Sequence, residues 1–346
     1  MRFGLFGSAQ ARRPDPGAVL TDSSQGFREW IDNNIEAEAL GFHSTFVVEH
    51  HFTGFGQVSA SLSLLTWLGA HTSTLRLGTA VLVLPWHNPV LLAEQAATLD
   101  LLSGGRLDFG VGKGYRYNEL AGFCVAMEEA DARFDEALQV ISKAFASDAP
   151  FSHKGHYWQY DNIVVEPPSA QRPHPPFWMG AGSERSVREV AKRGYNLLLG
   201  QYDRAEDLLR WVHQFRADVA ARGRAFDPME VGVARAVHIA RDKDDLEAAL
   251  ERRYQGHLRI NRLSERPGGD TRERFARHDE REVRRLCDET ALFGSPDDIA
   301  RKLEYLQKGG VEYVLINFGG SRENIRRFAR DVMPAFASTP TAMAAK

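Results

Sequence analysis

The stretch Arg76–Gly114, RLGTAVLVLPWHNPVLLAEQAATLDLLSGGRLDFGVGKG, reads as strand, helix and strand. Its opening, Arg76 to Val83, is a continuous apolar and β-branched run closed by Pro85. A helix opens near Pro89, where proline suits a first turn, and runs to about Leu102. Gly104-Gly105 stops it, and Leu107 to Val111 resumes as a strand. Working outward, the same alternation predicts strands at 2–7, 45–49, 177–181, 196–200, 231–240 and 313–318. Helices are predicted over 27–40, 60–71, 131–145, 184–193, 205–221, 242–259, 296–308 and 321–332. Ser295-Pro296-Asp297-Asp298 marks one helix start: a capping serine, a first-turn proline and acids at the positive dipole end. Eight strands, each followed by a helix, predict a (β/α)8 barrel forming one domain over residues 1–346.

Two insertions interrupt the rhythm. Residues 148–176, after the fourth strand, are dense in proline and aromatics and read as an excursion without regular elements. Residues 260–293, after the seventh, carry Arg262, Arg266, Arg272, Arg274, Arg277, Arg281, Arg284 and Arg285 among many acids. That segment reads either as a solvated, salt-bridged loop or as a mobile lid over the barrel mouth.

Composition sets limits on function. The chain has 346 residues, 43% hydrophobic and 26% charged, with a formal net charge of -3, so neither nucleic acid nor an anionic membrane is an expected partner. No apolar run approaches the length of a membrane span. The two cysteines, Cys124 and Cys287, lack a CxxC spacing and suit a reducing cytoplasm.

Candidate chemistry gathers at strand ends. The second strand stops at Glu49-His50-His51, where side chains leave the core and face a cleft. Neighbouring strand residues point apart, so His50 and His51 do not share one site, and no metal site is expected without a His-x-His pair. Gly110-Val111-Gly112-Lys113-Gly114 sets a cation on a flexible turn at the exit of strand four. Gly180-Ala181-Gly182-Ser183-Glu184-Arg185-Ser186 joins strand five to a helix. There Ser183 either caps the helix or, with Ser186 and the free N–H groups, binds a phosphate. Lys113 and Ser183 fall on neighbouring strands, so one phosphate could bridge them.

These residues carry a resemblance. The chain resembles the bacterial luciferase-like, flavin-dependent monooxygenases, most of all the luciferase alpha subunit. The likeness spans nearly the whole chain and is strongest in EHHFTGFG (49–56), LGTAVLVLP (77–85), LDLLSGGRLDFGVGKG (99–114) and the AGS turn at 181–183. It implies a (β/α)8 barrel that binds reduced FMN, supplied by a separate flavin reductase, at the C-terminal strand ends. It implies a dimer through the helices after strands two and three, and oxidation of a small organic substrate with O2 through a flavin C4a-peroxide. His50 matches the family's catalytic histidine, and Ala80-Val81 the site of a non-prolyl cis peptide under the flavin. Lys113 stands where luciferase has a phosphate-binding arginine, with Ser183 and Ser186 at or beside its phosphate contacts. Glu119 falls at an active-site aspartate.

The departures are also informative. Gly112 replaces a cysteine beside the flavin, Gln201 a tryptophan near the isoalloxazine, and Gly182 a glutamate whose backbone helps hold phosphate. Long-chain aldehyde specificity and light emission are therefore not implied. Phe6, Trp86, Tyr115 and Tyr117 suggest an aromatic wall to a substrate pocket that includes Glu119 and Gln201. An F420-dependent oxidoreductase on the same fold and a non-catalytic flavin-binding paralogue are the alternatives.

Overall fold

Parallel ladders close a ring of eight strands. They are β1 (Arg2–Gly7), β2 (Ser44–Val47), β3 (Arg76–Thr79), β4 (Leu107–Gly112), β5 (Phe177–Ala181), β6 (Asn196–Leu199), β7 (Val231–Ile239) and β8 (Tyr313–Asn317). Each pairs with the next, and β8 returns to β1 through Arg2↔Tyr313 to Leu5↔Ile316. The computed structural model describes residues 1–11, 24–266 and 280–337. Strands buried on both faces need no polar alternation, and β4 is buried at every residue. Phe46, Trp178, Leu198, Ala234, Tyr313 and Leu315 fill the barrel interior, with Phe6, Ala80 and Val81 packed against them.

Helix ends follow the sequence signals. The Asn88 side chain accepts from the N–H groups of Val90 and Leu91 ahead of helix Pro89–Leu102. Ser295 and Asp298 form a reciprocal capping box at helix Pro296–Lys308. Among the described residues no helix is long and apolar enough to cross a membrane.

Three expectations need correction. First, Arg76–Val83 is not one strand. It divides into β3 and a two-residue strand, Leu82–Val83, with a cis Ala80–Val81 peptide between them. The ladder skips a residue there, pairing Gly78 with Asp108 but Leu82 with Val111. The Thr79 hydroxyl bridges the interruption: it donates to the Gly110 carbonyl at 2.8 Å and accepts from the Gly110 N–H at 2.8 Å. Glycine is required opposite, because a Cβ at Gly110 would lie 1.7 Å from the Thr79 carbonyl oxygen.

Second, residues 148–176 do contain regular structure, an antiparallel hairpin of Phe151–Lys154 with Gln159–Ile163. Its turn is held from outside. Glu136, on helix Ala130–Ala146, accepts from the N–H groups of His156, Tyr157 and Trp158. Gly155 makes room, since a Cβ there would meet Glu136 Oε1 at 1.8 Å.

Third, most of the described part of 260–293 is regular. Helix Lys243–Arg262 extends into it, and helix Glu280–Glu289 and a strand, Leu292–Gly294, follow. That strand extends the sheet beside β7. Its described charges form surface pairs, Arg266 with Glu128 and Arg284 with Glu251, both at 2.7 Å. Arg272, Arg274 and Arg277 lie outside the described residues.

Thr79→Val keeps the shape at position 79 but strips both Gly110 backbone groups of their partner. Each of the two buried unsatisfied groups costs about 1–3 kcal/mol, so the variant should lose roughly 2–6 kcal/mol. Chemical denaturation checks this; a loss below measurement error would mean that the hydroxyl does not support the ladder.

Candidate active site

Past the end of β2 the chain leaves the barrel with Glu49 against His51, while Glu119, from helix Tyr117–Gly122, meets His50. Glu49 is 2% exposed. Its Oε1 accepts from His51 Nε2 at 2.8 Å, His87 Nε2 at 2.7 Å and Trp86 Nε1 at 3.1 Å, and its Oε2 from the Val83 N–H at 2.8 Å. Burial pushes the Glu49 carboxyl up, but hydrogen bonds from His51, His87 and Val83 outweigh it and carry the pKa down to about 2. Glu49 is therefore ionised at neutral pH and only accepts.

His50 turns the other way. Its Nδ1 lies 3.0 Å from Glu119 Oε1, which also accepts from the His51 backbone N–H at 3.0 Å. That oxygen already serves as an acceptor, so Nδ1 carries the proton and Nε2 keeps a lone pair in the neutral ring. Burial lowers the His50 pKa, opposed by the Glu119 hydrogen bond and reinforced by the nearby Arg116 charge. The neutral ring is thus favoured, which suits a proton acceptor at pH 7. Adjacent histidines were expected to diverge, and they do so onto separate carboxylates.

Arg116 and His87 were not anticipated. Arg116 Nη1 stands 3.5 Å from Glu119 Oε1. The i,i+3 spacing at the start of helix Tyr117–Gly122 was its available signal. His87 lies 38 residues from the carboxylate it serves, and no local pattern reports such a contact.

The remaining candidates fall into separate sets. Phe6, Ala80 and Val81 sit on the barrel interior, as described above. Trp86 stacks on Phe123 with centroids 5.2 Å apart, and Phe123 meets the His51 ring edge-on at 4.7 Å. Tyr115 lies 5.7 Å from the Arg116 guanidinium. Gln201 follows β6, and its carbonyl accepts from Arg253 Nη2 at 2.9 Å.

Lys113 and Ser183 follow neighbouring strands, since β4 pairs β5 through Val111↔Met179. Both are engaged. Lys113 Nζ lies 3.4 Å from the exposed carboxylate of Asp131. Ser183 Oγ accepts from the Ser186 N–H at 3.3 Å, while Ser186 Oγ accepts from the N–H groups of Ser183 at 3.1 Å and Gly182 at 3.2 Å. The capping alternative is the one formed. A phosphate at this turn would meet first-turn N–H groups, which have no partner within the helix, and a lysine whose ion pair is open to solvent. The residues present fit such a group.

Residues 1–313 match the luciferase-like monooxygenase family. The chain is 28% identical to the FMNH2-dependent dimethylsulfone monooxygenase of Pseudomonas putida, over 92% of each. It is 24% identical to the F420-dependent glucose-6-phosphate dehydrogenase of Segniliparus rotundus, over 90% of this chain and 94% of that one. Monooxygenase RslO1 from Streptomyces bottropensis superposes with a TM-score of 0.80 at 23% identity, covering 97% of this chain and 100% of that one. The chain belongs to the luciferase-like monooxygenase family, and is an enzyme of the flavin-dependent monooxygenase class.

Glu119→Gln removes the carboxylate that raises the proton affinity of His50. The His50 ring should then titrate at a lower pH than in the parent, moving further below the ordinary histidine value. A ¹H–¹³C NMR titration of the histidine rings reads this directly; an unmoved or raised midpoint would mean that Glu119 does not hold His50.

Proposed function

We propose that this enzyme is the oxygenase of a two-component system, taking reduced FMN from a separate reductase and oxidising a small organic molecule with O2. The observation that carries this reading is the half-buried His50 ring, neutral and with Nε2 uncommitted to Glu119, just past the C-terminal end of a barrel strand. Reduced flavin supplies the two electrons that O2 activation requires. Lys113 would exchange Asp131 for the flavin phosphate, aided by the first turn after Gly182, Ser183 and Ser186. Phe6, Ala80 and Val81 would back the ring system. His50 would accept and return a proton at Nε2, and Tyr115, Glu119 and Gln201 would border the substrate. The dimethylsulfone relative supports FMNH2, and the glucose-6-phosphate relative keeps F420 as the competing cofactor.

Mixing the anaerobic protein with reduced FMN or reduced F420 and then admitting ¹⁸O2 separates the two. Reduced FMN should support O2 uptake and a product gaining one labelled oxygen; oxidation dependent on F420 and independent of O2 would overturn the reading. His50→Ala should lower that turnover by roughly 10²–10⁴ while FMN still binds. An unchanged rate would remove His50 from the chemistry.

Lys113→Ala should weaken FMN by roughly 10- to 100-fold and leave riboflavin, which lacks the phosphate, nearly unaffected. Fluorescence titration checks this, and equal losses for both flavins would place the phosphate elsewhere.

The reading includes a homodimer through helices Ser61–His71 and Pro89–Leu102, where Trp67, Leu91, Leu101 and Leu102 are exposed. Apolar side chains grouped in this way mark an interaction surface. Light scattering should give twice the chain mass of 38.7 kDa at micromolar concentration, and a stable monomer would refute it.

A further inference from the structure

Among the described residues three arginines are buried, and two of them are satisfied. Arg235 donates to the carbonyls of Gly200, Ala234 and Asp203 at 2.8–3.1 Å. Arg253 donates to the carbonyls of Cys287 and Gln201 and to the Thr290 hydroxyl, at 2.9–3.0 Å. Arg116 is as deeply buried as Arg235, at 2% exposure. Yet its Nε and Nη1 are shut off from solvent without a hydrogen-bond acceptor among the described residues. Its nearest charge is Glu119 Oε1, 3.5 Å from Nη1. That same oxygen already takes His50 Nδ1 and the His51 N–H, so the carboxylate is committed elsewhere.

A guanidinium carries five N–H donors and cannot shed its charge, so leaving donors orphaned in a dry site is costly. Such a cost is reasonable where a ligand removes it. The position of the orphan is specific: Arg116 Nη1 and His50 Nδ1 both lie within 3.5 Å of one oxygen atom. The guanidinium and the His50 ring therefore share Glu119 as a neighbour.

We propose that Arg116 is the recognition group for a carboxylate on the substrate, so that the enzyme oxidises a small organic acid. A carboxylate matches the planar fork of the guanidinium in geometry and would supply the acceptors that Glu119, 3.5 Å away, does not. The assignment rests on the reading of His50 as the reaction centre, but binding at Arg116 can be measured without turnover.

Isothermal titration of the full chain, first alone and then with oxidised FMN, compares benzoate with benzamide and acetate with acetamide. At least one acid should bind about 10-fold or more tightly than its amide, the usual scale for a charge-assisted hydrogen bond. Arg116→Gln should abolish the preference, Arg116→Lys should keep part of it, and neither should much weaken oxidised FMN. Equal binding of acid and amide, no binding of either acid at millimolar concentration, or a preference that survives Arg116→Gln would each overturn the proposal. Loss of FMN affinity in Arg116→Gln with the acid preference intact would assign the guanidinium to the flavin and overturn it too. If the parent binds an acid through Arg116 but neither oxidised FMN nor, under anaerobic conditions, reduced FMN, the oxygenase reading fails while the carboxylate site stands. Comparison of acid and amide on the parent protein remains decisive even if the variants do not fold.

Discussion

One buried negative charge organises the strand ends. Glu49 is ionised inside the protein, and a desolvated carboxylate is tolerated only when donors surround it. The donors come from His51, Val83, Trp86 and His87. Meeting that demand ties the end of β2 to the segment that follows the interruption of β3. It also occupies His51, so the adjacent ring, His50, is free to face Glu119. The sorting of two neighbouring histidines onto two carboxylates thus follows from local chain geometry and from the cost of an unpaired charge.

The same logic explains the arginines. Arg235 and Arg253 run to carbonyls of the loop after β6, including Gly200, Gln201 and Asp203, and fix that loop against the barrel. Arg116 has no comparable task. Its Nε and Nη1 are buried without an acceptor, near the histidine whose proton affinity its charge depresses.

Much of the barrel was legible because its signals are local. Apolar runs such as Leu107–Val111 end at glycines, and helix starts such as Asn88-Pro89 and Ser295-Pro296 carry their own caps. The strand break at Ala80–Val81 was invisible to hydropathy, because RLGTAVLV is apolar throughout; only the family resemblance pointed to it. The 151–163 hairpin was missed because its turn is stabilised by Glu136, about twenty residues away, and not by its own sequence. At the site, EHH drew attention by composition, and Glu119 by resemblance. The pairing of His50 with Glu119 spans 69 residues, and the orphaned state of Arg116 depends on what surrounds it in three dimensions. Neither has a sequence signature. The phosphate reading of Ser183 and Ser186 met a competing local rule, the helix cap, which accounts for both hydroxyls.

In the proposed function the ends of β2 to β5 form one flavin site with His50 as its proton-transfer group. A crystal structure of the protein with FMN tests it most directly. The ring system should lie against Ala80–Val81, its reactive edge toward His50 Nε2, and its phosphate between Lys113 and the turn at Ser183. A flavin bound with its ring away from His50, or with its phosphate on another pair of strands, would contradict it.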